Sequence, residues 1–479
     1  MAMPANAGPG AAFPRPMLAL PLLGLAVLVG LMLGTEEWLA AAAALGLLGG
    51  VLGLMTGRWW VAMVWLAVSP TVAVFFNNLL QGIPFFRTER VLLLVLVGYF
   101  VADATFRKRP VDALDHAERC MLAFLGVCLA HALWSLSIKP LEPWSKEDGA
   151  LFYDGYLMPM LGYFIARRLH WHGDRSRRFL WLMGGAALFL AATAPLETLL
   201  GVAWFIPKYL DVIHILKRAT GTFGNAASYG AVMGALFLLA GLLYVHARTA
   251  VQRGALGTLL VVILGAVLLS KTRAAWVGLL VALVVVYAKE PASRGLLGLL
   301  GLLGAMVGVV VLPLLLASQG FQDRALDVAP VYNRIASTAA ALNMMVQNPL
   351  TGVGFSRAAF GQNRGAYAVD VGDISGAWIR ELAVPHNEFL NVGAMTGLVG
   401  LVLYLRVFIA VFSALARNGR EGSSAFVRSW SRWVFALWVC WCVNASFADF
   451  ANLGYINILL YFSAGIAAAL AQPPQRQAR

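Results

Sequence analysis

The sequence predicts an all-α polytopic membrane protein, and three observations lead there. Of 479 residues, 60% are hydrophobic and only 12% charged, with a mean hydropathy of +0.75; soluble domains carry about 25% charged residues. Apolar runs of roughly 20 residues recur along nearly the whole chain, each long enough to cross about 30 Å of hydrocarbon. These runs are unbroken, whereas a transmembrane β-barrel would alternate polar and apolar positions in segments of about ten residues.

Taken in order, residues 1–16, "MAMPANAGPGAAFPRP", read as a Pro/Gly/Ala-rich cytoplasmic tail ahead of a retained span, not as a cleaved signal. About 12–14 transmembrane helices follow. The fullest division is 17–34, 38–55, 59–76, 88–104, 119–136, 150–167, 179–200, 225–247, 255–270, 274–288 and 295–316, then 389–413, 432–448 and 453–471. Merging neighbours across the tight links at 35–37 and 271–273 would preserve the orientation. Residues 317–388 form one long loop, and 472–479 a second cytoplasmic tail. Basic clusters at 106–110, 167–178, 289–294 and 417–432 fix those loops on the cytoplasmic side by the positive-inside bias. The net charge of +13 is therefore charge facing anionic lipid and calls for no nucleic acid. Cys120, Cys128, Cys440 and Cys442 all lie in apolar runs and are expected to pack as small hydrophobes.

The long loop breaks the pattern and carries ordinary mixed composition. Within it, "VYNRIASTAAALNMMVQ" (331–347) repeats Ile335, Ala339, Leu342 and Val346 at helical spacing, and "NPLTGVG" (348–354) reads as a helix stop and turn. The loop is expected to fold back over the outer membrane surface.

Ionisable residues near spans are functional candidates. Asp154, Glu197, Arg273 and Asp449, with His131 and Asn444, gather at the outer halves of their spans, whereas Arg406 can snorkel inward. Arg273, with Lys271, stands against the orientation bias, either as an interfacial anchor or as a fixed cation for a phosphate group. Arg218, beside Lys217, is a loop charge or a second such cation. Arg334 taken alone is a solvated face of the loop helix. In "LAVPHNEFLNVG" (382–393), Pro385 suits a helix start and Asn387 a cap. His386 is then either structural or a neutral-pH base, and Glu388 either orients the imidazole or answers the helix dipole. A metal site would draw on His386, Glu388, Asp370 and Asp373, but no HExxH or CxxC spacing accompanies them.

Four segments succeed one another: "RATGTFGNAASYGAVM" (218–233), "LLSKTRAAWVGLLVAL" (268–283), "NRIASTAAALNMMVQNPLTGVGFSRAAF" (333–360) and "PHNEFLNVGAMTGLVGLVLYL" (385–405). This series resembles the O-antigen ligase and O-antigen polymerase family of bacterial envelope glycosyltransferases, over roughly residues 150–415. It departs from the family pattern at "GNAAS", where an Asn-Pro-Asn sequence is expected. The resemblance implies a metal-independent inner-membrane enzyme without cofactor. Such an enzyme moves a glycan from an undecaprenyl-pyrophosphate carrier to an acceptor hydroxyl on the periplasmic side, with inversion. The acceptor would be lipid A-core, another glycan or protein. Arg273 and Arg334 match the family's essential arginines, His386 its catalytic histidine, and Arg218 a further basic position. Lys271, Asn387 and Glu388 would join Arg218 in binding pyrophosphate or glycan. A polymerase of the same fold needs the same groups. A lipid-linked glycan transporter, the alternative of another class, would need ionisable groups along a full path or an internal repeat.

Overall fold

The computed structural model describes residues 58–71, 73, 87–106, 112–138, 149–201, 218–298, 301, 329–356, 358–368 and 385–472. Among them there is no strand, and the chain is a multi-pass α-helical membrane protein. Its α-helices are α1 (Arg58–Thr71), α2 (Thr88–Phe106), α3 (His116–Ile138), α4 (Met158–Arg168), α5 (Gly173–Leu199), α6 (Ala226–Val245) and α7 (Ala250–Leu269). They continue as α8 (Arg273–Lys289), α9 (Ala329–Gln347), α10 (Ala359–Asn363), α11 (Glu388–Glu421), α12 (Ala425–Ala445) and α13 (Gly454–Leu470). A π-helical stretch, Leu151–Leu157, runs directly into α4.

Among the described residues, five helices are long and apolar enough to cross a membrane: α3 over His116–Trp134, α5, α6, α7 and α11. They coincide with expected spans, as α8 does with 274–288. From α8 the chain bends by 116° into Pro291–Gly298. The expected spans 17–34 and 38–55, and most of 295–316, lie outside the described residues.

Helix α6 is the hub and is buried along nearly its whole length. It packs against α5, α7, α8, α12 and α13. Small residues allow the close approach, as in lipid generally: Trp433 of α12 lies over Gly241, and Ser270 and Ala275 lie over Gly230. The mouths of these helices are polar by design of the sequence. Asn225 Oδ1 accepts from the N–H groups of Ala227 and Ser228 at 2.8 and 3.1 Å, closing donors that the helix cannot pair. Thr249 and Ser424 cap α7 and α12 in the same way. Large side chains left on the surface, such as Val261, Leu280, Val284, Val402 and Ile409, are apolar. That is the composition a lipid-facing surface requires.

Two expectations are corrected. Helix α11 extends to Glu421 and is not continuous: Gly397 has φ 68° and ψ −170°, which breaks the hydrogen-bond ladder. The "NPLTGVG" turn fills the gap. Leu398 N–H donates to Pro349 O at 2.7 Å and Val353 N–H donates to Ala394 O at 2.8 Å, so the freed backbone groups are satisfied inside protein. The turn therefore stops α9 and also repairs a break some fifty residues further on. Helix α9 forms as expected, but Ile335, Leu342 and Val346 face outward. Its buried face is Ala336, Ala340, Ala341, Met344 and Met345, small or flexible residues that let α9 lie close against α11.

A Cβ at Gly397 would meet Pro349 O at 2.5 Å, and one at Gly352 (φ 60°) would meet Ala394 O at 2.4 Å. Alanine at either position combines a left-handed backbone with a backbone clash. Each substitution is expected to destabilise the protein by about 1–3 kcal/mol or more, checked by thermal unfolding of the detergent-solubilised protein. Ala at Gly98, which has open space around it, serves as the control.

Candidate active site

The break in α11 leaves a short helix, from Glu388 to the Gly397 kink, whose N-terminus is held by three ties. Asn387 Oδ1 accepts from Leu390 N–H at 3.1 Å, and Asn387 Nδ2 donates to Ser446 O at 3.3 Å. Ser337 Oγ on α9 donates to Pro385 O at 3.4 Å. Between these ties His386 adopts φ 50°, a left-handed conformation that few non-glycine residues take. The backbone is over-determined on both sides, and the imidazole is presented at the surface.

Two charges flank it. Arg334 comes from α9, where its guanidinium lies 5.7 Å from the Phe447 ring centroid. Asp449 follows α12 and accepts from Asn391 Nδ2 at 3.2 Å. The surrounding chain desolvates the imidazole and Arg334 repels its proton; together they hold its pKa below the usual histidine value, while Asp449 draws it partly back. At neutral pH His386 is therefore a neutral base with a carboxylate and a guanidinium beside it.

Glu388 is not the carboxylate that attends this ring. It is only 1% exposed and turns inward, accepting from Tyr156 OH at 3.1 Å and from Ala451 N–H at 2.8 Å. It braces the segment after Asp449 and touches Asp449 itself, and it is the Asp449 charge that acts on the imidazole. Tyr156 reaches Glu388 from the π-helical turn Leu151–Leu157, a distortion common near functional sites. That turn is pinned by Arg90, whose Nε and Nη2 donate to the two Asp154 oxygens at 2.8 and 2.6 Å. Asp154 stood out in the sequence as an ionisable group near a span, but nothing there pointed to Arg90, sixty-four positions earlier.

A second basic group is built from the α5–α6 and α7–α8 connections. Arg218 Nε donates to Ser270 O at 3.1 Å and its Nη2 to Thr272 Oγ1 at 3.0 Å, while Ala219 N–H donates to Leu269 O at 3.0 Å. Thr272 Oγ1 in turn donates to Ala226 O at 3.0 Å. Arg218 is thus tied to the turn that carries Lys271 (φ 48°) and Arg273, both exposed, with Arg273 opening α8. The sequence set Lys271 beside Arg273 and suggested Arg218 separately, and the fold joins all three. Helix α12 links this group to the first: Gly278 of α8 packs directly on Asn444, and Asn387 binds Ser446 two residues beyond. Lys217, Asp370 and Asp373 lie outside the described residues.

Glu197, near the end of α5, anchors the Arg218 segment from below. It is 4% exposed and accepts from Thr220 N–H at 2.6 Å, Gly221 N–H at 3.1 Å and Thr220 Oγ1 at 3.3 Å. Glu197→Ala leaves two buried N–H groups without this acceptor, at about 1–3 kcal/mol each. Glu197→Gln retains one acceptor oxygen and is expected to lose about half as much. Thermal unfolding of the two variants side by side checks the order.

No curated protein matches the sequence. Residues 258–405 match the family model described as O-Antigen ligase. That stretch carries Lys271, Arg273, Arg334, His386, Asn387 and Glu388, and stops short of Arg218. Over that stretch, about a third of its length, the chain carries a domain similar to the O-antigen ligase family.

Proposed function

We propose that the protein is a periplasm-facing glycosyltransferase of the bacterial inner membrane. It would move a glycan from an undecaprenyl-pyrophosphate carrier to an acceptor hydroxyl, without a metal ion. The observation that carries this reading is His386, held exposed in a left-handed conformation at the mouth of a broken helix, with Arg334 and Asp449 acting on its ring. The positive-inside bias of the basic loops supports a periplasmic position for that end of the bundle.

In the proposed step the acceptor oxygen attacks the anomeric carbon while His386 takes the hydroxyl proton. The bond from that carbon to the pyrophosphate oxygen breaks, and its electron pair leaves with the carrier as lipid pyrophosphate. One displacement inverts the anomeric centre. The charge that develops on the leaving group meets fixed guanidinium groups from Arg273 and Arg334, with Arg218 and Lys271 beside Arg273. Asp449 holds the protonated imidazolium, and Asn387 fixes the backbone from which it projects.

Purified protein given a lipid-linked glycan and an acceptor tests the reading. Transfer that persists in excess chelator is expected, and loss that magnesium or manganese restores would contradict the metal-free step. Glycan joined to lipid A-core or protein identifies a ligase, and a lengthened lipid-linked glycan identifies a polymerase.

A further inference from the structure

At the end of the bundle opposite His386, a cavity of about 280 Å³ opens where α11 has finished and α5 and α12 begin. Its floor is apolar: Trp171, 2% exposed, with Phe426 and Leu470. Its rim carries two arginines, Arg177 and Arg248, against a single carboxylate, Asp174. Arg248 and Asp174 stand 4.0 Å apart with both side chains about 70% exposed, a loose pair that leaves Arg248 able to serve an anion. Arg177 Nε is buried and has no hydrogen-bond acceptor among the described residues, although it lines the cavity. A buried guanidinium donor without an acceptor is costly. Gly173 and Asp174, at the N-terminus of α5, also line the cavity, and His172 provides no side-chain cap there.

We infer that this cavity is a binding site for a phosphate ester, and specifically for the headgroup of an anionic phospholipid. Two guanidinium groups and open helix N–H groups fit phosphate oxygens. An indole and a phenyl ring beneath them fit the glycerol and the first methylenes of a lipid better than they fit a hydrated inorganic anion. The position also fits, because the cavity lies at the ends of spans where headgroups lie. None of its residues belongs to the proposed transfer site, so the inference stands or falls without that site.

The test measures thermal unfolding and native mass spectra of the full-length protein in detergent. The additions are dioleoyl phosphatidylglycerol, dioleoyl phosphatidylcholine or inorganic phosphate. Phosphatidylglycerol is expected to bind saturably and to raise the unfolding temperature above the phosphatidylcholine value. Arg177→Gln and Arg248→Gln are each expected to weaken that binding about tenfold, the loss of one charge-assisted contact. Ser423→Glu, at an exposed rim position, is expected to repel the headgroup without touching the core. Protection by phosphatidylglycerol alone supports the lipid source. Equal protection by inorganic phosphate supports the phosphate site but assigns it to a soluble ester. No preference for phosphatidylglycerol and no phosphate effect would overturn the inference, as would equal protection of the wild type and all three variants.

Discussion

His386→Ala is expected to lower glycan transfer by about 10²–10⁴, the range a positioned general base contributes. The protein should remain inserted, since the ties at this mouth are made by Pro385 O and by Asn387, not by the imidazole. A pH profile separates chemistry from mere placement. Desolvation and Arg334 hold the His386 pKa below its ordinary value, so the base form prevails at neutral pH and the rate falls only as pH drops through that lowered pKa. Removing Arg334 takes away a charge that lowers the pKa, so in Arg334→Gln the acid limb should move to higher pH. Removing the Asp449 charge takes away one that raises it, and in Asp449→Asn the limb should move to lower pH. Initial-rate profiles of the three enzymes check both signs. An acid limb that stays in place in both variants would show that another group titrates.

Arg273→Ala is the second large effect. A fixed donor aimed at developing charge is worth about 10²–10³ in rate. The loss should appear in turnover more than in donor affinity, because the leaving-group charge is greatest in the transition state. Arg273→Lys keeps a cation but loses the planar fork, and partial recovery is expected. Arg218 requires a different control. Its guanidinium holds Ser270 O and Thr272 Oγ1, so Arg218→Ala also loosens the turn that carries Arg273. The two alanine substitutions together should therefore cost less than the sum of their separate effects, as for residues sharing one network. Strict additivity, measured by a double-mutant cycle on turnover, would separate the two arginines.

Much of the architecture is legible in the chain because lipid imposes simple demands. Long apolar runs had to be helices, and Asn387 beside Pro385 had to be a helix mouth. The side-chain cap from Asn387 is the one the residue type foretold. What stayed hidden depends on distant partners. Gly397 sits in an apolar run that reads as one helix, and only the "NPLTGVG" turn, far away in sequence, makes a break there affordable in hydrogen bonds. Glu388 read as placed to orient His386, but side chains two positions apart at a helix start diverge, and its partners Tyr156 and Ala451 come from other elements. Asp449 and Glu197 stood out as ionisable groups near spans, which is a real signal. Their partners, Asn391 and the Thr220–Gly221 backbone, required the fold. In α9 the helical spacing was legible but which face is buried was not, because this helix packs closely through alanine and leaves larger side chains outside.

The most direct measurement is the identity of the spent carrier after one round of transfer from an undecaprenyl-pyrophosphate glycan. Loss of the pyrophosphate as the leaving group predicts undecaprenyl pyrophosphate, with both phosphates on the lipid and the transferred sugar inverted at its anomeric carbon. Undecaprenyl monophosphate, or a sugar of retained configuration, would contradict the proposed displacement at His386.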